Sequence, residues 1–159
     1  MYEYRATVLK VIDGDTVDVD IDLGFGIVLK DERVRIMGID TPESRTRDKV
    51  EDLFGEAAKA RVKELMGESI VLKTQINKNG EDMKGKFGRI LGDFKVYHSS
   101  TDSWRMLTEI LVEEGHAVAY FGGSKEEVQA KHLENRNKLL SEGVVSQQDY
   151  DRELAKQTG

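Results

Sequence analysis

The chain has no cysteine, which excludes a disulfide scaffold, a thiolate zinc site and a cysteine nucleophile together. Long hydrophobic runs are also missing. The longest unbroken apolar stretch is Ala117–Phe121, far short of the ~20 residues a membrane-spanning helix needs, so no membrane partner is expected. The opening Met1-Tyr2-Glu3-Tyr4-Arg5 is not followed by the apolar core of a signal peptide, and the expected location is the cytoplasm. Basic charge is in short supply too, with 24 Lys and Arg against 30 Asp and Glu and a net charge of −6. That balance excludes a protein that coats nucleic acid, because such affinity comes mainly from neutralising phosphates. It leaves room for an enzyme that grips a few phosphates through a small cationic site or a metal. What remains, 159 residues with 38% hydrophobic and 34% charged, suits one globular domain with a real core.

The first half reads as strands. Thr16–Asp22 alternates Val17, Val19 and Ile21 with Asp18, Asp20 and Asp22, a period of two with one buried face. Tyr4–Ile12 before it and Ile27–Ile39 after it are rich in branched and aromatic residues. Asp13-Gly14-Asp15 and Gly24-Phe25-Gly26 mark the turns between them. Helical spacing begins near Val50, carries Phe54, Ala57, Ala58, Val62, Leu65 and Met66 on one stripe, and stops at Gly67. Ser69–Ile76 and Arg89–Val96 read as two further strands around the polar stretch Asn77–Lys86, expected to be a loop. Ser103 is placed to cap a second helix bearing Trp104, Leu107 and Leu111 and closing at Gly115. Ser124-Lys125-Glu126-Glu127 has the pattern that opens a third helix, through about Ser141. Five strands with a helix before the last two predict an α+β fold, a five-stranded OB-type barrel with three packed α-helices. The expected domain is residues 1–143, followed by a polar tail at 144–159. In that tail Ser146 can cap a short helix with Asp149 in its first turn and Tyr150 and Leu154 on one face.

Four short patterns could carry chemistry, and each has a bland explanation. Asp13-Gly14-Asp15-Thr16 suits a turn between strands. The aspartates that follow do not make an EF-hand, since counting from Asp18 the places for Gly and Glu hold Leu23 and Leu29. Asp40-Thr41-Pro42-Glu43 resembles a helix start with cap, first-turn proline and dipole-favoured acid. Arg33 and Arg35 alternate with Val34 and Ile36 and fall on the outer face of a strand. Lys86-Phe87-Gly88-Arg89 opens a strand, and Tyr120 and Phe121 stand near a bend.

In combination and in order, these patterns resemble the staphylococcal nuclease family over about Tyr4 to Leu140. Asp-Gly-Asp-Thr and an Arg five residues before Asp-Thr-Pro-Glu are the most specific parts. The resemblance implies calcium-dependent hydrolysis of DNA and RNA. By matched position, Asp15 and Asp40 would be carboxylate ligands of Ca2+ with the Thr41 carbonyl as a third oxygen. Arg35 and Arg89 would contact the scissile phosphate, and Glu43 would orient or activate the attacking water. Lys86 matches a lysine that meets a terminal phosphate, and Tyr120 a tyrosine that contacts the nucleotide. Three features depart from the family. Asp15 and Arg35 stand 20 positions apart, longer than usual, so the second and third strands or their hairpin must be extended. Phe87 replaces a common tyrosine, and the segment after Leu140 has no counterpart.

Elementary chemistry agrees with that assignment. Phosphodiester hydrolysis builds negative charge on phosphoryl oxygens, which guanidinium forks and a divalent cation stabilise. Calcium asks for oxygen ligands, and Asp15, Asp40 and Thr41 offer only oxygens. Two rivals stand beside this reading. Asp93-Phe94-Lys95 at a strand end matches half of a different, Mg2+-dependent nuclease pattern. A catalytically inactive OB-fold module that binds nucleic acid or protein is the other. His98, His116 and His132 have no metal-type spacing and are expected to be structural or exposed. A monomer is expected.

Overall fold

The computed structural model describes residues 2–44, 46–67, 69–75, 82, 84, 88–120 and 122–158. Strand β1 (Glu3–Asp13) pairs antiparallel with β2 (Thr16–Gly24), and β2 with β3 (Ile27–Ile36). A short β4 (Ile39–Asp40) precedes helix α1 (Lys49–Leu65), after which β5 (Ser69–Thr74) pairs with β1 and β6 (Ile90–His98) with β5. Val34–Ile36 of β3 then run parallel beside Ile90–Gly92 of β6, and this contact closes five strands into a mixed barrel. The α+β barrel expected of the sequence is present. Its interior is filled by the inward residues of the period-two pattern, among them Val17, Val19, Ile21, Val34, Ile36, Leu72, Phe94 and Val96, all buried.

The chain after β6 departs from its expected course. Ser103 does not cap a helix. Ser103–Met106 form a strand, β7, paired with Val96–His98 and Lys95, and helix α2 covers only Leu107–Glu114. The tight turn between β6 and β7 lets Trp104 meet Tyr97 edge to face at 5.9 Å, while Ser103 bonds Thr101. Those cross-strand contacts outweigh the capping tendency of Ser103. Asp93 takes over at the helix start, where its carboxylate accepts from the Thr108 N–H at 3.4 Å and the Thr108 hydroxyl at 2.6 Å. Asp40-Thr41-Pro42-Glu43 does not open a helix either. Helix α1 begins several residues later, capped by Asp48, which accepts from the N–H groups of Val50 and Glu51.

Strand β8 (Val118–Ala119) pairs antiparallel with β4 and leads to α3 (Lys125–Ser141), capped by Ser124. A fourth helix, α4 (Gln147–Thr158), lies in the tail, where the sequence leads one to expect a short helix capped at Ser146. The Ser146 hydroxyl accepts from the Asp149 N–H at its start. Val50, Phe54, Leu139 and Val145 form a second small core between α1, α3 and α4, with Tyr150 packed edge to face on Phe54 at 6.2 Å. No helix among the described residues is long and apolar enough to cross a membrane.

Candidate active site

The site grows from the β1–β2 turn. Asp13 accepts from the Asp15 N–H at 3.2 Å, and Asp15 accepts in turn from the Thr16 hydroxyl at 3.0 Å. Thr16 stands opposite Arg35 in the β2–β3 ladder, which delivers the Arg35 guanidinium to 3.2 Å from Asp15 Oδ2. The same guanidinium donates to the Ile36 carbonyl, and the Ile36 N–H bonds the Asp15 carbonyl at 2.7 Å. Strand, turn and side-chain pair are thus mutually fixed. Arg33, one pleat away on the same face, is held by Asp18 through a two-pronged contact at 2.9 and 3.1 Å.

Two glycines bring the remaining pieces together. A side-chain carbon at Gly14 would stand 3.0 Å from Ala58 and 3.2 Å from Thr41, so glycine lets the turn lie close between α1 and the Thr41 segment without pushing either away. Gly55 does the same for Glu43, whose carbonyl lies where a Cβ at Gly55 would be. The Glu43 N–H is tied to the Glu51 carboxylate at 3.1 Å. Thr41 is buried and Glu43 exposed beside it. Asp40 is positioned from the other side, by the pairing of β4 with β8 and by His132 of α3, whose Nε2 lies 2.7 Å from Asp40 Oδ2. Arg89 immediately precedes β6, whose Ile90 and Leu91 stand beside Val34 and Arg35.

The electrostatics are those of a crowded acidic cleft. Burial pushes the Asp15 carboxyl up to about 7, reinforced by Asp13 and opposed by Arg35. Glu43 is also raised, first by desolvation and then by the charges of Asp13, Glu51 and Asp40, again against Arg35. A carboxylate raised in this way accepts a proton more readily than a solvated one. Glu43 also lines a cavity of about 90 Å³ with Asp40, Thr41, Glu51, His132 and Arg136.

The donor set suits a hard cation. Asp15, Asp40 and the Thr41 carbonyl are all oxygen donors, the type a hard cation takes. No group of three or more His, Asp or Glu side chains among the described residues is arranged to hold a metal.

The structure brings Asp15 and Arg35 into contact, sets Thr41 against Gly14 of the same turn, and puts Glu43 within electrostatic reach of Asp13, Asp40 and Arg35. Tyr120 lies apart, half-exposed in a groove of about 960 Å³ beside Met37, Gly38 and Gly92, with its N–H on the Gly38 carbonyl at 2.9 Å. Lys86, Phe87 and Phe121 lie outside the described residues. Asp93 of the rival pattern is occupied at the start of α2, and Lys95 bonds Glu3 at 3.3 Å on the surface. The residue that sequence spacing passes over is His132. Its partner Asp40 is 92 positions away, and no local pattern links the two.

The family model described as staphylococcal nuclease homologue matches residues 33–155, which takes in Arg35, Asp40, Glu43 and Arg89. The chain belongs to the staphylococcal nuclease family. It is 35% identical over 117 residues to the endonuclease YncB of Bacillus subtilis, covering 73% of this chain and 48% of that protein. It is 30% identical over 121 residues to a micrococcal nuclease of Shigella flexneri, covering 74% and 59%. Protein ParB of Escherichia coli is 31% identical over 148 residues, covering 91% and 73%. The chain therefore spans about half the length of YncB and less than two thirds of the Shigella nuclease.

Proposed function

We propose that the chain is a calcium-dependent nuclease that hydrolyses phosphodiester bonds of DNA and RNA. The observation that carries this reading is the Asp15–Arg35 pair, a half-buried carboxylate and a guanidinium 3.2 Å apart at the β1–β2 turn, with Glu43 close enough to feel the charges of Arg35 and Asp40. Two relatives named as nucleases support the same reading. Asp15, Asp40 and the Thr41 carbonyl would hold the ion. When bound, calcium supplies positive charge to the developing phosphorane oxygens.

The protein's own groups divide the remaining work. Arg35 and Arg89 present guanidinium donors to the phosphoryl oxygens and stabilise the charge that builds there. Glu43 orients a water and accepts its proton as the new P–O bond forms. The P–O bond to the departing sugar oxygen breaks on the opposite side, and that oxygen takes a proton from solvent. Tyr120 offers a ring on which a base can stack at the groove, and Lys86 a charge for a terminal phosphate. The occupied Asp93 counts against the Mg2+-type rival.

The test is incubation of purified protein with single-stranded DNA and with RNA under Ca2+, Mg2+ or EGTA. Cleavage of both is expected with Ca2+ and loss of cleavage in EGTA. Mg2+ should substitute poorly, because it demands near-ideal octahedral geometry where calcium tolerates a flexible set of oxygen donors. Robust cleavage in EGTA, or with Mg2+ alone, would overturn the metal assignment. Binding without cleavage under every condition would make the chain a binding module.

A further inference from the structure

The β2–β3 hairpin outruns the barrel it belongs to. Beyond Ile21 its residues extend into solvent, and Leu23, Phe25, Ile27, Val28 and Leu29 are all exposed, Phe25 completely at 102%. The tip turn has positive φ at both central residues, 57° at Phe25 and 76° at Gly26. A two-residue hairpin turn of this kind favours Asn, Asp or Gly at its first position, and a bulky ring there is strained. The strain and the exposure of Phe25 meet no compensating contact in the described chain.

The outer edge of β3 is bare along the same stretch. Its pairing with β6 is confined to Val34–Ile36, so Ile27–Leu29 bond β2 on one side and have no strand on the other among the described residues. Proteins ordinarily protect such an edge with charge, proline or a bulge. Here protection starts only at Lys30-Asp31, where Asp31 adopts φ 51° and turns its N–H to Asp20 at 2.8 Å. An uncharged edge is left over Gly26–Leu29.

We propose that this edge is the contact through which two copies of the chain pair, as antiparallel strands related by a two-fold axis at Val28. In that register Val28 meets its own copy, Ile27 meets Leu29, and Lys30 falls opposite Gly26, so the three aliphatic residues face one another and no like charges oppose, while Phe25 lies opposite Asp31 beyond them. Moving the axis to Leu29 would set Lys30 and Asp31 against Val28 and Ile27 and break that aliphatic match. The five exposed apolar residues offer at most roughly 500 Å² per chain, with Leu23 and Phe25 flanking the paired strands. Two copies would bury at most about 1,000 Å², the threshold for a specific interface, which fits a weak dimer. Charge disfavours other occupants. Asp20, Asp22, Asp31 and Glu32 outnumber Lys30 and Arg33 on this ribbon, and both cations already pair within it, which suits neither nucleic-acid phosphates nor an anionic membrane. Arg35 lies six residues from Leu29, about 20 Å along the strand, so pairing leaves the candidate active site open.

The test is sedimentation equilibrium of the full chain up to ~100 µM, a range suited to an interface of this size. A concentration-dependent dimer is expected, with Val28→Lys and Ile27→Lys monomeric throughout. Both residues are exposed, so circular dichroism and the thermal midpoint should be unchanged. Because the chain lacks cysteine, Val28→Cys gives a second readout. Directly opposed residues lie ~4.5–5.5 Å apart, within disulfide reach, so mild oxidation should link the copies. A wild type that stays monomeric, a dimer indifferent to Val28→Lys, or a monomer whose ribbon instead binds neutral vesicles or single-stranded DNA would each overturn the proposal.

Discussion

His132 Nε2 lies 2.7 Å from Asp40 Oδ2, joining the middle of α3 to the strand that carries a candidate calcium ligand. An ionised carboxylate can only accept, so the imidazole nitrogen carries the proton in this contact. His132 is buried, and its bond fixes the direction in which the other Asp40 oxygen points. Hydrogen bonds that orient a ligating carboxylate typically govern metal affinity by about 10–100-fold.

Replacing His132 with Ala should therefore raise the Ca2+ concentration needed for half-maximal cleavage by about tenfold or more. Gln, which retains a donor, should recover part of the loss. A calcium titration of activity measures both. An unchanged titration with a lowered melting temperature would make His132 a packing residue only.

Arg35→Ala should lower kcat by about 10²–10³, the usual loss when one preorganised donor to a developing oxyanion is removed. Arg89→Ala should behave alike. Arg33→Ala should leave kcat within a few-fold, because its guanidinium is held by Asp18 on the strand surface. Single-turnover rates on one oligonucleotide separate the three. An essential Arg33 with a dispensable Arg35 would contradict the observed ladder register.

Asp93 gives a pH-dependent prediction. Burial raises its carboxyl above 3.8, against hydrogen bonds from Thr108 and the Phe94 N–H. A raised folded-state pKa means that stability is fully present below the unfolded value and is lost as pH rises through the folded value. Asp93→Asn has no such loss and keeps an acceptor for the Thr108 N–H. Its stability relative to wild type should thus climb from about pH 4 toward neutrality, as read by denaturant melts. Its nuclease activity should stay within a few-fold. Abolished activity would revive the Mg2+-dependent rival.

The tail should matter for stability and not for chemistry. Tyr150 stacks on Phe54, and α4 closes the small core around Val145 and Leu139. Truncation after Gly143 removes that cover. Tyr150→Ala alone should cost about 2 kcal/mol, toward the lower end for large-to-small changes because the ring is only half buried. Urea melts measure the loss, and activity per folded molecule should hold within a few-fold. A truncated chain that remains folded by circular dichroism yet is inactive would place the tail in the site.

The elements that were legible in sequence are those that local chemistry dictates. Val17, Val19 and Ile21 alternate with aspartates, and this fixes both the strand and the face it buries. Ser124 and Ser146 announce α3 and α4 because a cap bonds N–H groups only two or three residues on. Asp15, Arg35, Asp40 and Glu43 could be singled out because each sits in a short pattern of unusual composition. The strand at Ser103–Met106 was not legible. Its sequence suits a helix start, and only the edge of β6 and the face of Tyr97 pull it into the sheet.

Tertiary structure decided how those residues meet. The strand period says that Arg35 faces outward, but the β2–β3 register opposite Thr16 brings it to Asp15. Nothing local to Asp40 foretells His132, since hydrogen bonds between distant elements depend on how helices dock. Docking depends in turn on close approaches such as those at Gly14 and Gly55. The bare edge at Ile27–Leu29 has the same origin. The apolar residues are plain in the sequence, yet only the barrel, whose β3–β6 pairing stops at Val34–Ile36, leaves their outer edge without a strand among the described residues. Sequence fixes propensities residue by residue, whereas pairing, burial and charge compensation are properties of surfaces that exist only after the chain has folded.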